Sequence, residues 1–73
     1  MIKINPNNID KFKKRGNYYY YQVNKYTYLQ FDAITLNYIG AILYINFYND
    51  KDVSKTLEKL LALDYIEVLG NDE

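Results

Sequence analysis

The hydrophobic positions of this chain follow two rhythms. Across residues 1–31 the apolar and aromatic side chains come in short bursts between turn-forming residues, whereas from Leu36 to Leu61 they recur mostly every three or four positions. The first rhythm predicts strands and the second predicts helices. Ile2-Lys3-Ile4 reads as a short first strand, closed by the turn-forming cluster Asn5-Pro6-Asn7-Asn8. Residues 10–15 are basic and read as a helical turn or a loop, and Gly16-Asn17 then punctuates the chain. Residues 17–23, which include four consecutive tyrosines, predict a second strand, because tyrosine suits a pleated, half-buried surface. Asn24-Lys25 predicts a two-residue turn, since Asn tolerates positive φ, and residues 26–32 return as a third strand.

That turn sets a register. Val23 then faces Tyr26, Tyr21 faces Tyr28 and Tyr19 faces Gln30 on one side of the hairpin; Tyr18 faces Phe31 and Tyr20 faces Leu29 on the other. The side with Leu29 and Phe31 is the better core face. Tyr18 and Tyr20 are therefore expected inside, and Tyr19, Tyr21, Tyr26 and Tyr28 form an outward ladder available to a partner.

Asp32 or Thr35 can cap a helix start by accepting an amide hydrogen bond. Leu36, Ile39, Leu43 and Phe47, with Ile42 alongside, then make an apolar stripe at helical period, broken at Asn49-Asp50-Lys51. A second helix is expected from about Asp52, with Val53, Leu57, Leu60 and Leu61 buried and Lys55, Glu58 and Lys59 outward. Asp64 falls where a helix often ends in a left-handed residue. Tyr65 to Leu69 reads as a last strand and Gly70 to Glu73 as a frayed acidic tail. The expected fold is α+β and winged-helix-like: a hairpin or three-stranded meander, two helices and a short C-terminal strand, in one domain over residues 1–73. The first 16 residues are open to being a poorly ordered arm.

Composition narrows the chemistry. The chain has 73 residues, ten of them tyrosine, and no cysteine, histidine or tryptophan. Disulfides, cysteine- or histidine-based zinc sites and histidine acid–base catalysis are thereby excluded. The lone serine, Ser54, has no histidine to activate it, and the three glycines are isolated, so no phosphate-cradling loop exists. Asp50 and Asp52 fit a helix start, where carboxylates complement the dipole. Neither an enzyme nor a cofactor is expected. Net charge is zero, but unevenly spread: residues 1–31 carry six cations against Asp10, a net +5, and residues 32–73 carry a net −5. Such asymmetry suits an anionic partner at one end, or head-to-tail contact between copies. No signal peptide is evident, and the most apolar stretch, residues 33–48, is too short and too polar to span a bilayer of roughly 20 apolar residues. A cytoplasmic chain with no membrane partner is expected.

The residues thus favour binding over catalysis, because tyrosine combines contact area with a polar tip at low entropy cost. A helix with a leucine stripe running into an apolar strand also suits a small DNA-binding regulator. The outward face of that helix, with Lys55, Thr56, Glu58 and Lys59, lacks the basic surplus that phosphate binding wants. A third reading is a homodimer joined through the tyrosine face.

The passage Ile34-Thr35-Leu36-Asn37-Tyr38-Ile39-Gly40-Ala41-Ile42-Leu43 resembles a motif of the PqqD-like family, also called RiPP recognition elements. Leu36, Asn37, Gly40 and Ala41 match its Leu-Asn and Gly-Ala positions, and Leu61-Ala62-Leu63-Asp64-Tyr65-Ile66 matches its closing segment. The family's extra helix between these two is missing here. The resemblance implies a non-catalytic adaptor that captures the leader of a precursor peptide by strand addition beside the third strand and presents it to a modifying enzyme. The matching positions are Tyr26, Tyr28, Leu29, Gln30 and Phe31 on the strand, and Lys55, Thr56, Lys59 and Leu60 on the last helix; the hairpin register, apart from the resemblance, adds Tyr19 and Tyr21 as a partner face.

Overall fold

The computed structural model describes residues 1–43 and 50–70. Strand β1 (Ile2–Ile4) leads through a 3-10 helix (Pro6–Lys11) into β2 (Lys13–Arg15), β3 (Tyr18–Asn24), β4 (Thr27–Asp32) and β5 (Tyr38–Leu43). Helix α1 (Asp50–Ala62) and strand β6 (Ile66–Val68) follow. β2 to β5 form an antiparallel meander in sequence order, while β6 returns to pair with β1 in a separate two-stranded ribbon. The α+β class, the N-terminal meander, the helix with its leucine stripe and the closing strand all agree with the sequence expectation.

The first of the two expected helices does not form where the structure describes it. Its opening half is β5, while the stripe position Phe47 and the break at Asn49 lie outside the described residues, as do residues 71–73 of the tail. Of the two expected helix caps, Asp32 and Thr35, Asp32 accepts the amide bonds, but it closes a hairpin turn and starts no helix. The Asp32 carboxylate accepts from the Ile34 amide at 3.0 Å, the Thr35 amide at 2.7 Å and the Thr35 hydroxyl at 3.0 Å. The Leu36 amide then donates to the Asp32 carbonyl at 2.9 Å, completing one helical turn. Leu36 itself sits at φ 66, a left-handed conformation from which a helix cannot continue. Beyond it a register shift in β5 lets Ile39 fall between Tyr38, opposite Phe31, and Gly40, opposite Gln30. An extra residue in a period-two strand imitates a spacing of three, which is why the stripe reads as helical.

The β3–β4 hairpin also differs from expectation. The loop is Lys25-Tyr26, with Asn24 opposite Thr27, and the register shifts across Val23. Neither loop residue takes a positive φ. The Asn24 side chain stabilises the turn instead, accepting from the Tyr26 amide at 2.8 Å and donating to the Asp52 carboxylate at 2.8 Å, which ties the hairpin to the start of α1. With the bulge at Val23, Tyr19 opposes Phe31, Tyr21 opposes Leu29 and Tyr20 opposes Gln30. A displacement of one residue exchanges the two faces. Tyr19 and Tyr21 therefore pack against the core, and Tyr18 and Tyr20 point away from it, the reverse of the sequence expectation.

The core is Ile4, Phe12, Leu29, Phe31, Leu60 and Ile66. Phe31 is its centre, fully buried, with the Phe12 ring edge-on at 5.2 Å and Tyr38 at 5.4 Å. Two of these six residues come from the first 16, which are thus built into the domain. The N-terminal segment also locks the helix end. Asp64 is left-handed at φ 63; its amide donates to the Leu61 carbonyl at 3.1 Å and that of Tyr65 to the Leu60 carbonyl at 2.9 Å, a Schellman close. Asn5 and Asn8 both donate to the Asp64 carbonyl at 2.9 Å.

Candidate functional site

Strand β4, on which sequence reasoning set strand addition, lies inside the sheet, hydrogen-bonded to β3 on one side and β5 on the other. It has no free edge. Leu29, Phe31 and Leu60 are fully buried core residues, so they are unavailable to a partner in the folded domain. Tyr26 is in the turn, with the Lys25 ammonium 5.6 Å from its ring centre. Tyr28 and Gln30 face outward, whereas Leu60 packs with Leu29 and Phe31 on the inner face. Helix α1, with exposed Lys55 and Lys59 and half-buried Thr56, therefore lies on the opposite side of the sheet from Tyr28 and Gln30. The fold does not bring the two halves of the expected groove together.

What the register assembles is the outer face of the meander. Reading across the strands, Lys13 pairs with Tyr20, Tyr20 with Gln30 and Gln30 with Gly40. One step along, Arg15 pairs with Tyr18 and Tyr18 with Asp32; one step the other way, Gln22 pairs with Tyr28 and Tyr28 with Ile42. Directly opposed residues share a face, so cations occupy one flank and tyrosines and amides the centre. Tyr18 is 37% exposed, and its ring centre lies 6.4 Å from that of Tyr20, tilted by 56°. Gly40 contributes no side chain, and among the described residues none beyond its chain neighbours lies within 4 Å of where one would start.

This face carries a concavity of about 400 Å³. Lys11, Lys13 and Arg15 line one flank, and Tyr20, Gln22 and Tyr28 the sheet side, with Tyr21 and Ile42 completing it. The Lys11 ammonium also lies 5.9 Å from the ring centre of Tyr65. The hairpin that presents Lys13 and Arg15 turns at Gly16-Asn17, where Gly16 takes φ 60, a conformation glycine adopts without a Cβ penalty. Asp32, the one acid on the face among the described residues, directs its carboxylate into its own turn; the Thr35 amide above all holds that carboxyl below the ordinary aspartate value.

The +5 segment of the chain thus becomes a local feature: Lys13 and Arg15 stand beside Tyr20 and Tyr18, and among the described residues the carboxylate opposite them across the tyrosines is the engaged Asp32. Sequence reasoning missed this grouping because Lys13–Arg15 was not read as a strand. The alternation of Lys13, Arg15, Tyr18, Tyr20 and Gln22 was the available signal. Among the described residues no group of three or more histidine, cysteine or acidic side chains is placed to hold a metal, and no helix is long and apolar enough to cross a membrane. The chain matches no family model, no curated protein and no solved structure.

Proposed function

We propose that the chain is a non-catalytic binding module that captures an extended, anionic partner on the outer face of the β2–β5 meander. The observation that carries this reading is the co-location of Lys13 and Arg15 with Tyr20 and Tyr28 around one concavity, with Tyr18 beside Arg15 on the same face. A sheet face turned from the core normally carries alternating polar residues. Large aromatic rings there offer contact area at low entropy cost, and cations along one flank attract and orient a negative chain.

A second reading keeps the adaptor role implied by the PqqD-like resemblance, with a leader or other partner peptide pairing at β5 rather than β4. It is favoured by β5 being the last strand of the sheet, with Ile39 52% exposed. Strand addition needs such an edge.

An amide NMR titration tests the two together, using an acidic tyrosine-containing peptide and a single-stranded oligonucleotide as probes. Shifts confined to residues 13–22, 28 and 30 support the outer face, and shifts confined to residues 38–43 support the edge. Shifts from neither probe, or only on α1, rule out both. Two variants separate binding from folding. Phe31→Ala should cost about 3–5 kcal/mol of stability by emptying the core. Tyr20→Ala should change stability by under about 1 kcal/mol, the usual range for a surface substitution, while weakening probe binding. Equal loss of stability in both, measured by urea denaturation, would show the face assignment to be wrong.

A further inference from the structure

We infer that the outer face is a platform for single-stranded nucleic acid, an inference that rests on reading that face as the binding surface. An acidic peptide and a nucleic-acid strand both satisfy the cations; the backbone separates them. β4 is paired on both sides, and β3 is paired with β4 on one side and over Tyr18–Tyr20 with β2 on the other, so the amide and carbonyl groups at Tyr18 and Tyr20 are engaged in the ladders. A peptide lying across the Tyr18 and Tyr20 rings finds no main-chain partner there for its own amides and carbonyls, which need one when desolvated. A nucleic-acid strand has no such requirement. Its phosphates need cations, and its bases need flat aromatic surfaces, which every base uses equally well.

The register supplies these as a repeated unit. Arg15 stands beside Tyr18 and Lys13 beside Tyr20, so each ring has a cation on its β2 side. The two rings, centred 6.4 Å apart, provide successive stacking positions. Gln30, on the far side of Tyr20, offers an amide donor and acceptor to a base edge. Gly40 beyond it leaves the trough open. Bases paired in a duplex are stacked on one another and cannot lie on these rings, so the face selects single strands.

The test is fluorescence anisotropy of a labelled oligothymidine or oligouridine with the full chain, repeated with the matching duplex. Single-strand binding is expected, with log K falling against log salt at a slope of about −2 if three cations engage, so that raising salt from about 50 to about 200 mM costs on the order of tenfold. Tyr18→Ala with Tyr20→Ala should weaken binding by about tenfold or more. Lys13→Gln with Arg15→Gln, at exposed positions outside the buried core, should weaken it and flatten the salt slope. Absent binding, equal affinity for duplex, or an affinity unchanged by the Lys13/Arg15 pair overturns the inference. If the oligonucleotide fails but an acidic peptide shifts the same face by NMR, the nucleic-acid assignment falls and the binding surface stands. If neither probe perturbs the face, both fall.

Discussion

At the scale of single residues, the fold turns on a few side chains with specific partners. Asp32 accepts three hydrogen bonds within its own turn, from Ile34 and twice from Thr35. The Thr35 amide in particular lowers its pKa below 3.8, against a smaller opposing effect of desolvation. A depressed folded-state pKa means that Asp32 stabilises the fold above its ordinary value and ceases to do so as pH falls through the depressed one. Asp32→Ala should therefore lower the melting temperature at neutral pH, and the gap from the parent chain should narrow as pH falls through that depressed value. A gap that stays constant would mean that the carboxylate's charge is irrelevant to the turn. The residue was legible as a cap, because acceptor side chains before a run of free amides are a local signal. Its consequence was not, since a cap does not say whether a helix or a hairpin follows.

At the scale of elements, α1 was the most readable piece. Val53, Leu57, Leu60 and Leu61 lie on its buried side as their spacing requires, and Asp64 takes the left-handed position that ends it. A left-handed residue with a Cβ carries a cost of roughly 1–2 kcal/mol, smaller for Asp than for most. Asp64→Gly should then stabilise the domain by up to about 1 kcal/mol, readable as a rise in the urea midpoint at constant slope. The carbonyl that Asn5 and Asn8 grip is kept in this variant, so the gain should survive; a loss would show that the Asp64 side chain contributes more than its backbone costs. The strands were less readable. β2 is three exposed cations with no apolar signal at all, and β5 hides its alternation behind the displaced Ile39. In both, the pairing partner creates the strand, and the partner lies elsewhere in sequence.

At the scale of the whole molecule, the two ends close the core. β1 pairs with β6, Ile4 and Ile66 oppose each other in that ribbon, and both are buried. Phe12 joins them from the other end of the 3-10 helix, against Tyr21 and Phe31. Deleting residues 1–16 removes Ile4 and Phe12, each a large buried side chain worth about 2–5 kcal/mol, from a domain whose total stability is on the order of 5 kcal/mol. The shortened chain should lose its cooperative unfolding transition and the near-ultraviolet circular dichroism of its tyrosines. A retained sharp transition would mean that the meander and α1 fold without this segment.

The sequence by itself determined what is local. It set the class of the domain, the helix with its buried stripe and the left-handed end at Asp64, and it offered Asp32 or Thr35 as a capping acceptor, because each depends on residues within a turn or two of one another. It also determined that ten tyrosines and a +5 N-terminal segment would have to be placed somewhere. Which tyrosines face outward was decided only by the tertiary structure. Strand faces alternate with a period of two, so the single extra residue at Val23 exchanges the inner and outer sets, and Tyr18 and Tyr20 rather than Tyr19 and Tyr21 share the outer face with Arg15 and Lys13. The pairing of β2 with β3 then turns a run of charge in the sequence into the flank of a site.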